Sequence, residues 1–159
     1  MLKKALAVAA LMLPVCFAQA QDYKVGDLEV TQPWSQELPP NAPNVAAYFV
    51  VNNHSAQADR LLSVDSPVSD NAQLHEHVNT DGLMKMRQVP NVEVPAHQQA
   101  VFAPGAHHVM LMAPKDRSLL QDGKQFPLTL HFEKAGALTV NVEVRREPPS
   151  HQTKSMHAQ

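Results

Sequence analysis

The chain has almost no cysteine: a single thiol, Cys16, stands in 159 residues. It falls inside the first apolar stretch. Met1-Leu2-Lys3-Lys4 make a short basic start, an apolar run follows from Ala5 to Phe17, and Ala18-Gln19-Ala20 put small residues where export signals are cut. Residues 1–20 are therefore expected to be a signal peptide, removed after Ala20 to leave a periplasmic product. Lipidation of Cys16 is disfavoured by Val15 before it, where lipoprotein signals usually carry a small residue. The exported chain, beginning at Gln21, then holds no thiol. That excludes a disulfide of its own, thiolate metal ligands and dithiol redox chemistry.

Long hydrophobic runs are also lacking. The leader's apolar run is about 13 residues, against the ~20 that a membrane-spanning helix needs. Excess positive charge is missing as well. Losing Lys3 and Lys4 takes the basic count from 13 to 11 against 15 acidic residues, a formal charge of −4. Neither nucleic acid nor an anionic membrane surface is an expected partner. No window keeps a helical period, and there is no internal repeat or second domain.

What recurs instead are short runs rich in Val, Leu, Phe and Thr, separated by Pro, Gly, Asn and Asp. The clearest are Leu28–Thr31, Ala46–Asn52, Leu61–Val64, Ala72–Val78, Leu83–Val89, Gln99–Phe102, His108–Met112, Leu128–Glu133 and Leu138–Val144. Strands of this length and spacing predict one all-β domain, a sandwich or small barrel, over 21–146. A short helical turn is expected at Ser118–Gln121. Past Val144 the run Arg145-Arg146-Glu147-Pro148-Pro149 ends the last strand, and 147–159 reads as a polar, flexible tail. The tail carries His151, Met156 and His157.

Histidine and methionine are abundant: nine His in the chain, and five Met once the leader is gone. Their placement is informative. In Leu74-His75-Glu76-His77-Val78-Asn79-Thr80-Asp81-Gly82-Leu83-Met84-Lys85-Met86-Arg87, the stretch Asn79 to Gly82 signals a hairpin turn. A hairpin centred on Thr80–Asp81 pairs His75 with Met86 and His77 with Met84. One centred on Asp81–Gly82 pairs His75 with Gln88 and His77 with Met86. Either puts all four His and Met side chains on one face, whereas an odd loop would split them. In His107-His108-Val109-Met110-Leu111-Met112, the alternation points His108, Met110 and Met112 one way and His107 the other.

Thioethers are soft, neutral donors that suit Cu(I), while zinc, magnesium and calcium prefer harder or anionic ones. Imidazole serves copper in either oxidation state. Blue-copper electron transfer needs a thiolate that the exported chain lacks. A His/Met group without thiolate therefore fits reversible holding of Cu(I). Singly, each residue has a plainer explanation: Met84, Met110 and Met112 as core fillers, His75 and His77 as surface residues. It is their joint pattern that argues for a site. His54, His97 and His131 have no soft ligand beside them and read as structural or surface residues, and Trp34 reads as core.

The same residues resemble the periplasmic copper chaperones called PCu(A)C, whose pattern is a His, ten residues, a Met, twenty-one residues, then His-x-Met. His75, Met86, His108 and Met110 stand at those intervals. Asn44-Val45-Ala46-Ala47-Tyr48-Phe49-Val50-Val51-Asn52-Asn53 and Pro104-Gly105-Ala106-His107-His108 also look familial, and the similarity runs from about Val25 to Val144. The resemblance implies a cupredoxin-like Greek-key β-sandwich, Cu(I) held by those four residues, no enzymatic activity, and delivery to copper enzymes such as cytochrome c oxidase. The acceptor would be a subunit of that enzyme or another copper chaperone, and the carrier a monomer. Family members often have Met where His77 stands, so His77 is expected to be an auxiliary or Cu(II)-prone donor. Some carry a His/Met-rich extension, and His151, Met156 and His157 are candidates for a weaker second site, for Cu(II). A copper buffer that sequesters without delivery needs the same residues and is the alternative.

Overall fold

The computed structural model describes residues 22–149. The leader with its cleavage site and the tail residues His151, Met156 and His157 lie outside the described residues. Alternation organises everything else. In Asn44–Asn53 the odd-numbered Val45, Ala47, Phe49 and Val51 are buried, and the even-numbered Ala46, Tyr48 and Val50 face outward. Gln125–Phe132 and Gly136–Arg145 behave alike, burying Phe126, Leu128 and Leu130 and Val140, Val142 and Val144.

In chain order the strands are β1 (Tyr23–Val25), β2 (Leu28–Gln36), β3 (Asn44–Asn53), β4 (Asp59–Asp65), β5 (Asn71–Thr80), β6 (Leu83–Gln88), β7 (Val92–Val94), β8 (Gln99–Phe102), β9 (His108–Met112), β10 (Gln125–Phe132) and β11 (Gly136–Arg145). They pair in the order β6-β5-β9-β3-β2-β11-β10-β4-β7, with β1 on β2 and β8 on β3. All the pairings between these strands are antiparallel except β11 with β2. Because β7 lies against β8 and β4 against β5, the sheet folds over on itself. The core between its layers includes the stacked rings of Phe49 and Phe102, 4.3 Å apart. The architecture is all-β and cupredoxin-like.

Three features depart from the sequence expectations. Strand β2 continues past Thr31 because a bulge absorbs Gln32 and Pro33: Gln32 takes φ +52°, and pairing with β3 resumes at Trp34. The three-residue strands β1 and β7 were too short to show a period. At Ser118–Gln121 there is a hydrogen-bonded turn, with Leu120 N–H donating to the Arg117 carbonyl at 3.1 Å, and no helix.

Candidate metal centre

The β5–β6 hairpin turns on Asp81 and Gly82, with φ of +53° and +79°. Two successive positive φ values define the tight turn whose twist matches paired strands, and Asp-Gly is a sequence that tolerates it. Gly82 N–H also donates to Asn79 Oδ1 at 2.9 Å. Of the two even registers the chain adopts the second: His75 opposite Gln88, His77 opposite Met86, Asn79 opposite Met84. The histidines and methionines of this hairpin therefore share a face.

Strand β9 lies along the other side of β5, with His75 opposite His108, Gln73 opposite Met110 and Asn71 opposite Met112. His75 thus occupies the middle of a three-strand patch. His108 is its direct neighbour, and Met86 and Met110 sit on diagonals to either side. Diagonal cross-strand positions are about 7–8 Å apart, within reach of a long side chain. Met110 stands beside Ala46 of β3, whose lone methyl leaves the thioether little competition for space. Strand β6 ends the sheet, and Met86 is 56% exposed there.

Two imidazole nitrogens in this patch are buried and have no hydrogen-bond partner: His75 Nδ1 and His108 Nε2. Their other nitrogens explain the protonation. His75 Nε2 lies 2.8 Å from Gln73 Oε1, and Gln73 Nε2 in turn donates to Asn71 Oδ1 at 3.1 Å, which orients the amide. His108 Nδ1 lies 3.3 Å from the Ala106 carbonyl. Both partners are oxygen acceptors, so the proton resides on His75 Nε2 and His108 Nδ1, and the orphaned nitrogens carry lone pairs. Leaving such a group buried and unpaired costs about 1–3 kcal/mol. A metal-ligating His is typically held in this way, its second nitrogen donating to a carbonyl or amide oxygen. The residues thus fit a metal.

Electrostatics agree. Burial pushes the pKa of His75 below its ordinary 6.5. Burial is also the largest effect on His108 and lowers its pKa; the bond to the Ala106 carbonyl opposes it, and the nearby His77, His75 and His107 each add a smaller lowering. Both rings are therefore neutral donors at neutral pH. The unfolded chain binds protons at these positions more readily than the folded one. Their contribution to the stability of the metal-free protein is complete above about 6.5 and is lost as pH falls through the lower folded values. Thermal melts of metal-free protein from pH 7.5 to 5 should show a falling midpoint, with a shallower fall once His108 is replaced by Leu.

Among the described residues no group of three or more His, Cys, Asp and Glu is arranged to hold a metal ion. Met86, Met110 and His77 share this face with the two rings. Met84 and Met112 lie farther along, opposite Asn79 and Asn71. His107 points the other way, 3.5 Å from Glu76 and with its ring 5.8 Å from that of Phe102. Glu76 also pairs with Arg87. His54 meets Glu29 at 3.1 Å, His131 pairs with Asp65, and His97 sits in a loop at φ +55°. Trp34 is buried against Tyr48. The sequence reading missed the supporting groups Gln73 and the Ala106 carbonyl. The alternation of Gln73 with His75 was a usable signal for the first; a backbone carbonyl leaves none.

The family model for the LpqE-like family, described as "Putative lipoprotein LpqE-like", matches residues 28–144. The chain belongs to this family, the PCuAC family. The PCuAC fold is also that of its structural neighbours. A copper-bound PCuAC domain from PmoF2 superposes with a TM-score of 0.68 at 25% identity, covering 80% of this chain and 99% of that one. The CuI form of DR1885 from Deinococcus radiodurans gives 0.61 at 26% identity, covering 82% and 83%. In sequence, the uncharacterized protein RP573 of Rickettsia prowazekii is 28% identical over 122 residues, which span 74% of this chain and 66%, just under two thirds, of that protein.

Proposed function

We propose that this PCuAC protein is an exported, non-enzymatic copper carrier of the periplasm that holds Cu(I) with His75, Met86, His108 and Met110. The observation that carries the reading is the pair of buried, unpartnered imidazole lone pairs at His75 Nδ1 and His108 Nε2, flanked on one sheet face by Met86 and Met110. Two neutral imidazoles and two thioethers make a soft, uncharged donor set, which favours Cu(I) over hard divalent ions. The copper-bound PmoF2 domain and CuI-DR1885 support it from outside.

The placement also suits transfer. The two His are held by their second hydrogen bonds, while Met86 lies exposed on the terminal strand. An acceptor can displace Met86 first and take the metal by stepwise ligand exchange. In this reading the acceptor is a copper-accepting protein such as a cytochrome c oxidase subunit or another copper chaperone. The tail residues His151, Met156 and His157 add a weaker Cu(II) site, so deleting 147–159 lowers total copper stoichiometry.

Anaerobic titration against a competing Cu(I) chelator tests the central claim. One Cu(I) should bind per centre, and Met86→Ala and Met110→Ala should each weaken it roughly tenfold or more. Unchanged affinity in both variants would remove these residues from the site. Delivery is tested in a deletion strain: cytochrome oxidase assembly should fail at low copper, and copper sensitivity alone would point to buffering.

A further inference from the structure

His77 is not needed for the donor set above, yet it sits within it. It stands directly opposite Met86 on the hairpin. Its ring centroid is 5.0 Å from that of His108, nearer than the 5.5 Å between His75 and His108. His77 Nδ1 lies 3.3 Å from the Ala106 carbonyl, the oxygen that His108 also uses. A carbonyl only accepts, so His77 carries its proton on Nδ1 and leaves a lone pair on Nε2. One backbone oxygen therefore sets the same tautomer in two neighbouring imidazoles.

We propose that His77 is a third nitrogen donor that gives this centre a Cu(II)-holding state beside its Cu(I) state. His108 is common to both. Cu(I) is held with His75 and the thioethers of Met86 and Met110, and Cu(II) with the imidazoles of His75, His77 and His108. The chemistry follows from donor type: Cu(II) favours nitrogen ligands, and thioethers favour Cu(I). The three rings stand as two pairs sharing His108 and do not form a closed set. His77 must turn toward the shared position as Cu(II) enters. The half-buried ring is held on its Nδ1 side by the 3.3 Å hydrogen bond to the Ala106 carbonyl, so the turn swings Nε2.

The inference rests on the copper-carrying reading of this centre, and the experiment separates the two. The full chain is used with His151→Ala and His157→Ala, so that no imidazole of the tail contributes. Cu(II) affinity is measured by chelator competition, nitrogen ligation by electron paramagnetic resonance, and Cu(I) affinity anaerobically, in this background and in two variants of it. His77→Met replaces nitrogen by a thioether. His77→Gln keeps an N–H for the Ala106 carbonyl but has no imidazole lone pair.

Both variants should lose roughly tenfold or more in Cu(II) affinity and one nitrogen from the spectrum. Their Cu(I) affinity should stay within about threefold of the parent. Unchanged Cu(II) affinity overturns the proposal, as does an equal loss for both oxidation states. A loss in His77→Met that His77→Gln does not share also overturns it, since the imidazole would then not be the cause. Failure of the parent to bind Cu(I) sinks the carrier reading instead and leaves the Cu(II) result to be read by itself.

Discussion

Replacing His108 by Leu is expected to abolish tight Cu(I) uptake while leaving the metal-free protein at least as stable as the parent. His108 is 2% exposed, with the rings of His75 and His77 5.5 Å and 5.0 Å away, and its Nε2 is buried and unpaired. A histidine kept for folding would have both nitrogens satisfied. An apolar side chain of similar size removes the unpaired group, and such replacements are neutral or stabilising, here by about 1 kcal/mol. The Ala106 carbonyl keeps His77 as a partner. Loss of a central ligand should weaken Cu(I) about 100-fold or more, read by anaerobic chelator competition. The midpoint of metal-free thermal unfolding should stay level or rise by about 3 °C. A variant that unfolds would make His108 a structural residue and withdraw the main support for copper carriage.

Phe102→Ala should have the largest effect on stability. Phe102 is fully buried in β8, stacked on Phe49, and bridges to His107 just before β9. Large-to-small truncation of a buried Phe costs about 3–5 kcal/mol, a large part of the 5–15 kcal/mol typical of a whole domain. The midpoint of thermal unfolding should fall by about 10 °C or more. The site should feel it too. The 103–107 loop is tied by Ala103 N–H to the His107 carbonyl at 3.0 Å and by Ala106 N–H to the Ala103 carbonyl at 3.0 Å. That loop presents the oxygen that orients His77 and His108. Copper affinity should therefore drop in this variant although no donor is touched. Unchanged affinity in folded Phe102→Ala would show that the loop holds its carbonyl without help from the core.

Local information was legible, because it is written within a few residues. Alternating burial marks β3, β10 and β11, and the expected bounds of β8 and β9 agree with the structure to the residue. Asn79 to Gly82 announced the hairpin, and an even loop was enough to put His75, His77, Met84 and Met86 on one face. The choice between the two even registers was not legible. It turned on whether Asp81 and Gly82, or Thr80 and Asp81, take the positive φ values. Likewise Gln32-Pro33 looked like the end of a strand, because a bulge depends on the partner that tolerates it.

By itself the sequence determined a His/Met pattern with no cysteine beyond Cys16, its spacing, and the strands that carry it, since residue type and period are properties of a local segment. Only the tertiary structure decided that β9 lies against β5, placing His108 opposite His75 although 33 positions separate them. It also decided that β6 ends the sheet and exposes Met86, and that Ala106 and Gln73 accept hydrogen bonds from the ring N–H groups while two buried lone pairs remain. Strand neighbours are chosen by how whole faces bury against each other, and no short window of residues contains that choice.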